Sequence, residues 1–138
     1  MAVLGIDLGA RRIGLALSGL DGRLALPAGT LQSRGRARDL AAICALAAER
    51  GVSRIVVGLP VHMNGSAGPE ARAALDFADA LRRELALPVE TLDERWTTQQ
   101  ARRDLAESGP RRRRAPVDDL AATILLRTYL ARRAAERE

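Results

Sequence analysis

Residues Val3-Leu4-Gly5-Ile6-Asp7-Leu8 form a short, nearly continuous apolar run, the pattern of a β-strand covered on both faces. A strand of this kind needs paired neighbours at its edges and packed layers above and below, which commits the chain to a layered sheet. Gly9-Ala10-Arg11 reads as a tight turn into Arg12 to Ser18, where Ile13, Leu15 and Leu17 alternate with Gly14, Ala16 and Ser18. The Asp21-Gly22 turn signal then leads to a third strand around Leu24 to Leu31, completing an antiparallel meander.

The hydrophobic period changes after Leu31. Leu40, Ile43, Cys44 and Ala47 fall at helical spacing and Gly51 supplies a stop. The β-branched run Arg54 to Gly58 predicts a fourth strand. A loop from Leu59 to Ser66 follows, then a helix from about Pro69 to Ala86 with Ala71, Ala74, Leu75, Ala78, Leu81 and Leu85 on its buried face. Pro88 to Leu92 predicts a fifth strand. Thr97 with Gln100 matches a capping box and Trp96 a staple against Ala101, which start a third helix. After Gly109-Pro110 and four arginines, Pro116 opens a last helix reaching about Arg133. The order βββαβαβαα predicts an α/β fold with a five-stranded mixed sheet covered by helices on both faces, in one domain over residues 1–138.

Composition narrows the chemistry. All 22 basic residues are Arg, against 17 acids, for a net charge of +5; planar guanidinium donors in a basic chain suit a polyanionic partner. Phe77, Trp96 and Tyr129 are the only aromatics, too few for a surface that stacks successive bases, so backbone contacts are favoured over base readout. The single Cys44 excludes a disulfide scaffold and multi-cysteine zinc sites. No apolar stretch approaches the roughly 20 residues that span a bilayer and the start does not read as a signal peptide, which places the chain away from membranes, in the cytoplasm.

Three carboxylates stand out against this background. Asp7 shares a strand face with Val3 and Gly5 in a run too apolar to tolerate an unpaired charge. Asp93-Glu94-Arg95 lies between the fifth strand and the capping Thr97, where open α/β sheets place their ligands; either acid could serve. Asp118 opens the last helix on the arc that continues to Ala121, Leu125 and Tyr129, whereas Asp119 projects toward the edge carrying Thr123 and reads as solvated. Acids from three elements gathered at one sheet end repel unless a cation compensates them. An all-oxygen set suits Mg²⁺ or Mn²⁺ rather than zinc, and a pair of such ions about 4 Å apart can promote phosphodiester hydrolysis. His62, alone in a loop, reads as an exposed residue rather than a proton shuttle.

Gly5-Ile6-Asp7-Leu8-Gly9 with Arg12 to Ala16, Val57-Gly58-Leu59-Pro60 with Asn64-Gly65-Ser66, Asp93-Glu94-Arg95 with Thr97-Thr98, the run Arg111 to Arg114, and Val117-Asp118 ahead of Ile124 to Leu126 together resemble the YqgF/RuvX family over nearly the whole chain. The resemblance implies a ribonuclease H-like fold related to RuvC resolvases. It also implies nuclease activity in maturing the 5′ end of 16S ribosomal RNA or in Holliday junction resolution. It implies Asp7, Glu94 and Asp118 as the catalytic and metal-binding acids with Mg²⁺ or Mn²⁺, two ions in number. Arg11, Arg12, Arg95, Arg111, Arg112, Arg113 and Arg114 are the candidate contacts to nucleic acid, with pre-ribosomal particles as its carrier and the protein acting as monomer or homodimer. The chain departs from the pattern at Gly19, where an acid is usual, and at Gly58-Leu59-Pro60, where related nucleases carry an acid at the fourth strand's exit.

Two other readings compete. Asp7-Leu8-Gly9 also resembles the phosphate loop of actin-like ATPases and sugar kinases, but those close two lobes over a nucleotide and 138 residues supply one. A non-catalytic ribosome-assembly factor would use the same arginines with a degenerate acidic site.

Overall fold

Alternation along the first strand gives the molecule two hydrophobic cores, one on each face of the sheet. The computed structural model describes residues 2–19, 21–62, 64–95 and 117–137, the side chains of 117–119 and 137 excepted. Its elements are β1 (Ala2–Leu8), β2 (Arg12–Ser18), β3 (Ala25–Gln32), α1 (Arg36–Glu49), β4 (Val52–Leu59), α2 (Pro69–Glu84), β5 (Val89–Asp93) and α3 (Val117–Arg137). The strands lie in the order β3-β2-β1-β4-β5. β1 pairs antiparallel with β2 and β2 with β3, whereas β4 runs parallel to both β1 and β5. The C-terminal ends of β1, β3, β4 and β5 therefore share one end of the sheet.

Leu4 and Ile6 of β1 face α1 and α2, in a core with Ile13, Leu15, Ile55 and Val57 from the sheet and Ile43, Ala74, Phe77 and Leu81 from the helices. Val3 faces α3 on the other side, with Ala16, Val56, Leu92, Ala122, Leu125, Leu126 and Tyr129. Each buried leucine of α3 contributes about 2 kcal/mol of apolar transfer. Gly5 sets the distance between helix and sheet: a Cβ there would lie 3.0 Å from Leu126 Cβ and 3.4 Å from the Ala122 carbonyl oxygen.

The direction of α3 is fixed at the far end. Glu90, early in β5, accepts a hydrogen bond from Arg54 at 2.8 Å, and Arg133 Nη1 lies 4.0 Å from the same carboxylate. Burial and the neighbouring Glu90 carboxylate raise the Tyr129 hydroxyl above its ordinary value. The late turns of α3 thus meet the starts of β4 and β5, so its first turn points toward the strand exits.

The five strands, the mixed sheet and the helices on both faces agree with the sequence reading. One expectation fails. Leu75 is exposed and Phe77 is buried, because the covered arc of α2 is rotated toward the side where the larger ring buries more area. Thr123 on α3 is buried, while the Asp119 side chain, read as solvated, lies outside the described part of the molecule. The helix expected from Thr97, the Thr97/Gln100 capping box, the Trp96 staple and the run Arg111 to Arg114 lie outside the described residues. Among the described residues no helix is long and apolar enough to cross a membrane.

Candidate functional site

Asp7 continues the face of β1 that carries Val3 and Gly5 and stands half-buried near the strand's exit, opposite Gly14 of β2. On the adjacent β4, Val56 faces α3, and the period of two puts Gly58 on that face as well. The register aligns Gly58 with Leu92 and Leu59 with Asp93 of β5, and the Glu94 amide donates to the Leu59 carbonyl at 2.9 Å. A Cβ on Gly58 would overlap Glu94 Oε1 and lie 3.1 Å from Glu94 Cδ. The Glu94 carboxyl fills the space beside this bare backbone and lies across β4 on the side of Asp7 in β1. Burial and the neighbouring Asp7 and Asp93 carboxylates push the Glu94 carboxyl up to about 9. Glu94 is therefore protonated near neutrality.

Asp93, the other acid of the pair left open by the sequence, is committed elsewhere. Its carboxylate accepts from Arg95 Nε at 2.9 Å and Nη2 at 2.6 Å, and from the Arg95 amide at 2.9 Å. The guanidinium beside it holds Asp93 below the usual carboxylate range. Arg95 Nη1 also lies 3.6 Å from where a Gly65 Cβ would stand, so the guanidinium sits beside the loop between β4 and α2.

Asp118 belongs to the first turn of α3, and its side chain lies outside the described part of the molecule. Its backbone position follows from the Gly5 contact. Four residues back along the helix from Ala122 is about 6 Å, and two residues on from Gly5 along β1 is about 7 Å; both steps lead to the Asp7 end. Arg11 and Arg12 are exposed in the turn that follows Asp7, where the Gly9 amide donates to the Arg12 carbonyl at 2.8 Å. His62 is exposed, with Nε2 2.8 Å from the position of a Gly68 Cβ. Arg111, Arg112, Arg113 and Arg114 lie outside the described residues. Among the described residues, no three His, Cys, Asp or Glu side chains gather as a metal cluster; the acids on view there are a pair.

Sequence reasoning missed the part played by Gly58, although a glycine ending a β-branched run is the signal of a close approach. It also passed over Asp39, a buried acid whose partners are structural: Ser33 Oγ donates to it at 2.6 Å and the Arg34 amide at 2.9 Å.

A mixed sheet of this order, with two carboxyls meeting above its strand exits, defines a ribonuclease H-like domain. Thermus thermophilus RuvC in complex with Holliday junction substrate superposes with a TM-score of 0.72 at 16% identity, over 98% of this chain and 96% of that one. Fowlpox virus resolvase, solved with Holliday junction DNA, gives 0.55 at 9% identity over 96% and 98% of the two chains. Residues 1–132 match the RuvX family, described as a Holliday junction resolvase, and the chain belongs to that family. Relatives named "Putative pre-16S rRNA nuclease" include one from Moorella thermoacetica, 46% identical over 96% of each chain. Another, from Chloroflexus aurantiacus, is 45% identical over 93% of this chain and 85% of its own length.

Proposed function

We propose that this protein is a divalent-metal-dependent nuclease that hydrolyses phosphodiester bonds in the precursor of 16S ribosomal RNA, acting in the cytoplasm on pre-ribosomal particles. The observation that carries the reading is the Asp7–Glu94 carboxyl pair, held over Gly58 at the strand exits. Two acids pressed together are a costly arrangement without a cation and a suitable one with it. The all-oxygen donor set fits Mg²⁺ or Mn²⁺. Asp7, Glu94 and Asp118 would hold the metal, which when bound supplies charge neutralisation at the phosphate and lowers the pKa of water. With the metal in place, Glu94 and Asp7 would face it with their oxygens, while the exposed Arg11 and Arg12 would hold phosphates beside it without reading base sequence. Arg95, oriented by Asp93, sits beside the β4–α2 loop.

A second reading, Holliday junction cleavage, is favoured by the description of the RuvX family and uses the same residues. The test is a panel of precursor rRNA, single-stranded RNA and four-way DNA junctions incubated with Mg²⁺, Mn²⁺ or a chelator. Metal-dependent cutting of the rRNA precursor, lost in Asp7→Asn while binding survives, is the expected result. Preferential cutting of the junction transfers the activity to DNA, and binding without cutting on any substrate leaves an assembly factor.

A further inference from the structure

Five arginines converge on the site's flank. The β1–β2 turn carries Arg11 and Arg12, and Arg12 lies opposite Gln32 in the β2–β3 register. The Ser33 amide donates to the Arg11 carbonyl at 2.8 Å, which draws the β3–α1 segment and its Arg34, Arg36 and Arg38 to that turn. All five arginines are exposed, and among the described residues none forms an ion pair. The nearby acid in sequence, Asp39, is buried and turned onto Ser33 and the Arg34 amide, so it forms no ion pair with the patch. Arg36 and Arg38 occupy the first turn of α1, where the helix dipole disfavours cations. Their placement costs the helix stability, so α1 itself gives no reason for them.

We infer that Arg34, Arg36 and Arg38 form a second phosphate-binding surface that grips the substrate's sugar-phosphate backbone away from the cut, with Arg11 and Arg12 bridging to the acids. The inference rests on the nucleic-acid reading above and adds which way the substrate runs: across the sheet end from β5 and β1 toward β3. Two strand spacings separate β3 from β1, about 10 Å, or about three phosphates of one strand in a duplex. Contacts of this kind supply affinity and register rather than base preference.

The test uses the full chain carrying Asp7→Asn, so that substrate is bound and not consumed. Binding of a labelled single-stranded RNA is measured against salt concentration. Arg34→Gln/Arg36→Gln/Arg38→Gln is compared with Arg50→Gln/Arg83→Gln, a control pair of surface arginines outside the patch. Each phosphate released from an arginine flattens the slope of log K against log salt by about 0.7 on a single strand. The triple variant is therefore expected to drop about 2 units of slope, while the control keeps its slope. Thermal melting verifies that both variants fold. Equal slopes for triple variant and parent overturn the patch and leave the nuclease reading standing. A control that flattens the slope as much as the triple variant also overturns it, since net charge alone would then account for binding. A parent that binds no RNA and no DNA junction overturns the nuclease reading and the patch with it.

Discussion

Gly58 and Glu94 compete for one volume: the carboxyl of Glu94 stands where a side chain on the fourth strand would begin. That exclusion lets an acid from beyond the fifth strand cross its neighbour and reach Asp7. Gly58→Ala is therefore expected to evict Glu94 rather than unfold the sheet. A 1 Å misplacement at a reacting centre can cost about a hundredfold in rate, while overpacking costs about 1–3 kcal/mol. Cleavage assays beside urea melts separate the two effects, and parental activity in Gly58→Ala would disconnect the glycine from the site.

The protonation of Glu94 gives a pH signature. Its folded-state value, about 9, exceeds the ordinary 4.5, so between those values the folded chain binds more protons than the unfolded one. Stability contributed here falls as pH rises through that window. In chelator, the melting temperature of wild type should decline with pH relative to Glu94→Gln, whose profile should be flatter. Mg²⁺ or Mn²⁺ should reverse the trend for wild type alone, because the cation takes the proton's place.

Asp118 and Asp39 should part company on mutation. Asp118→Asn is expected to lower cleavage by about a hundredfold or more with little change in melting. Asp39→Ala should cost about 1–3 kcal/mol by stripping partners from Ser33 and the Arg34 amide, leaving cleavage of the surviving folded protein intact. Denaturant titrations and specific activities of the same preparations test both.

Gly5 should transmit packing to chemistry. A methyl group at this position meets Leu126 and the Ala122 carbonyl, and α3 must retreat to admit it. Gly5→Ala is expected to lose about 1–3 kcal/mol and to weaken Mn²⁺ binding, measured by paramagnetic relaxation. Destabilisation with unchanged Mn²⁺ affinity would detach the first turn of α3 from the site.

Asp7 was legible in the sequence because a lone carboxylate in an apolar strand demands compensation. The strands were legible because short apolar and β-branched runs, as in β1 and β4, and a period of two, as in β2, differ from helical spacing. Asp93 and Glu94 were not separable, since adjacent acids after a strand differ only in which face each takes. That choice is made by distant features, the open volume beside Gly58 and the guanidinium of Arg95. Leu75 misled for a similar reason: it lies at the edge of a helical stripe, and whether an edge is covered depends on how the neighbouring layer is rotated. The arginines of the β3–α1 segment were visible in sequence, but their approach to the β1–β2 turn rests on a backbone bond between Ser33 and Arg11 that no local pattern announces.

The packing of α3 onto β1 also has a temporal side. Val3, Gly5, Ala16 and Val56 leave the ribosome early, and the helix that covers them is translated after every strand. A nascent chain accordingly leaves this face of the sheet uncovered until that helix emerges. Asp118, which that helix carries, is the last of the candidate acids to be made.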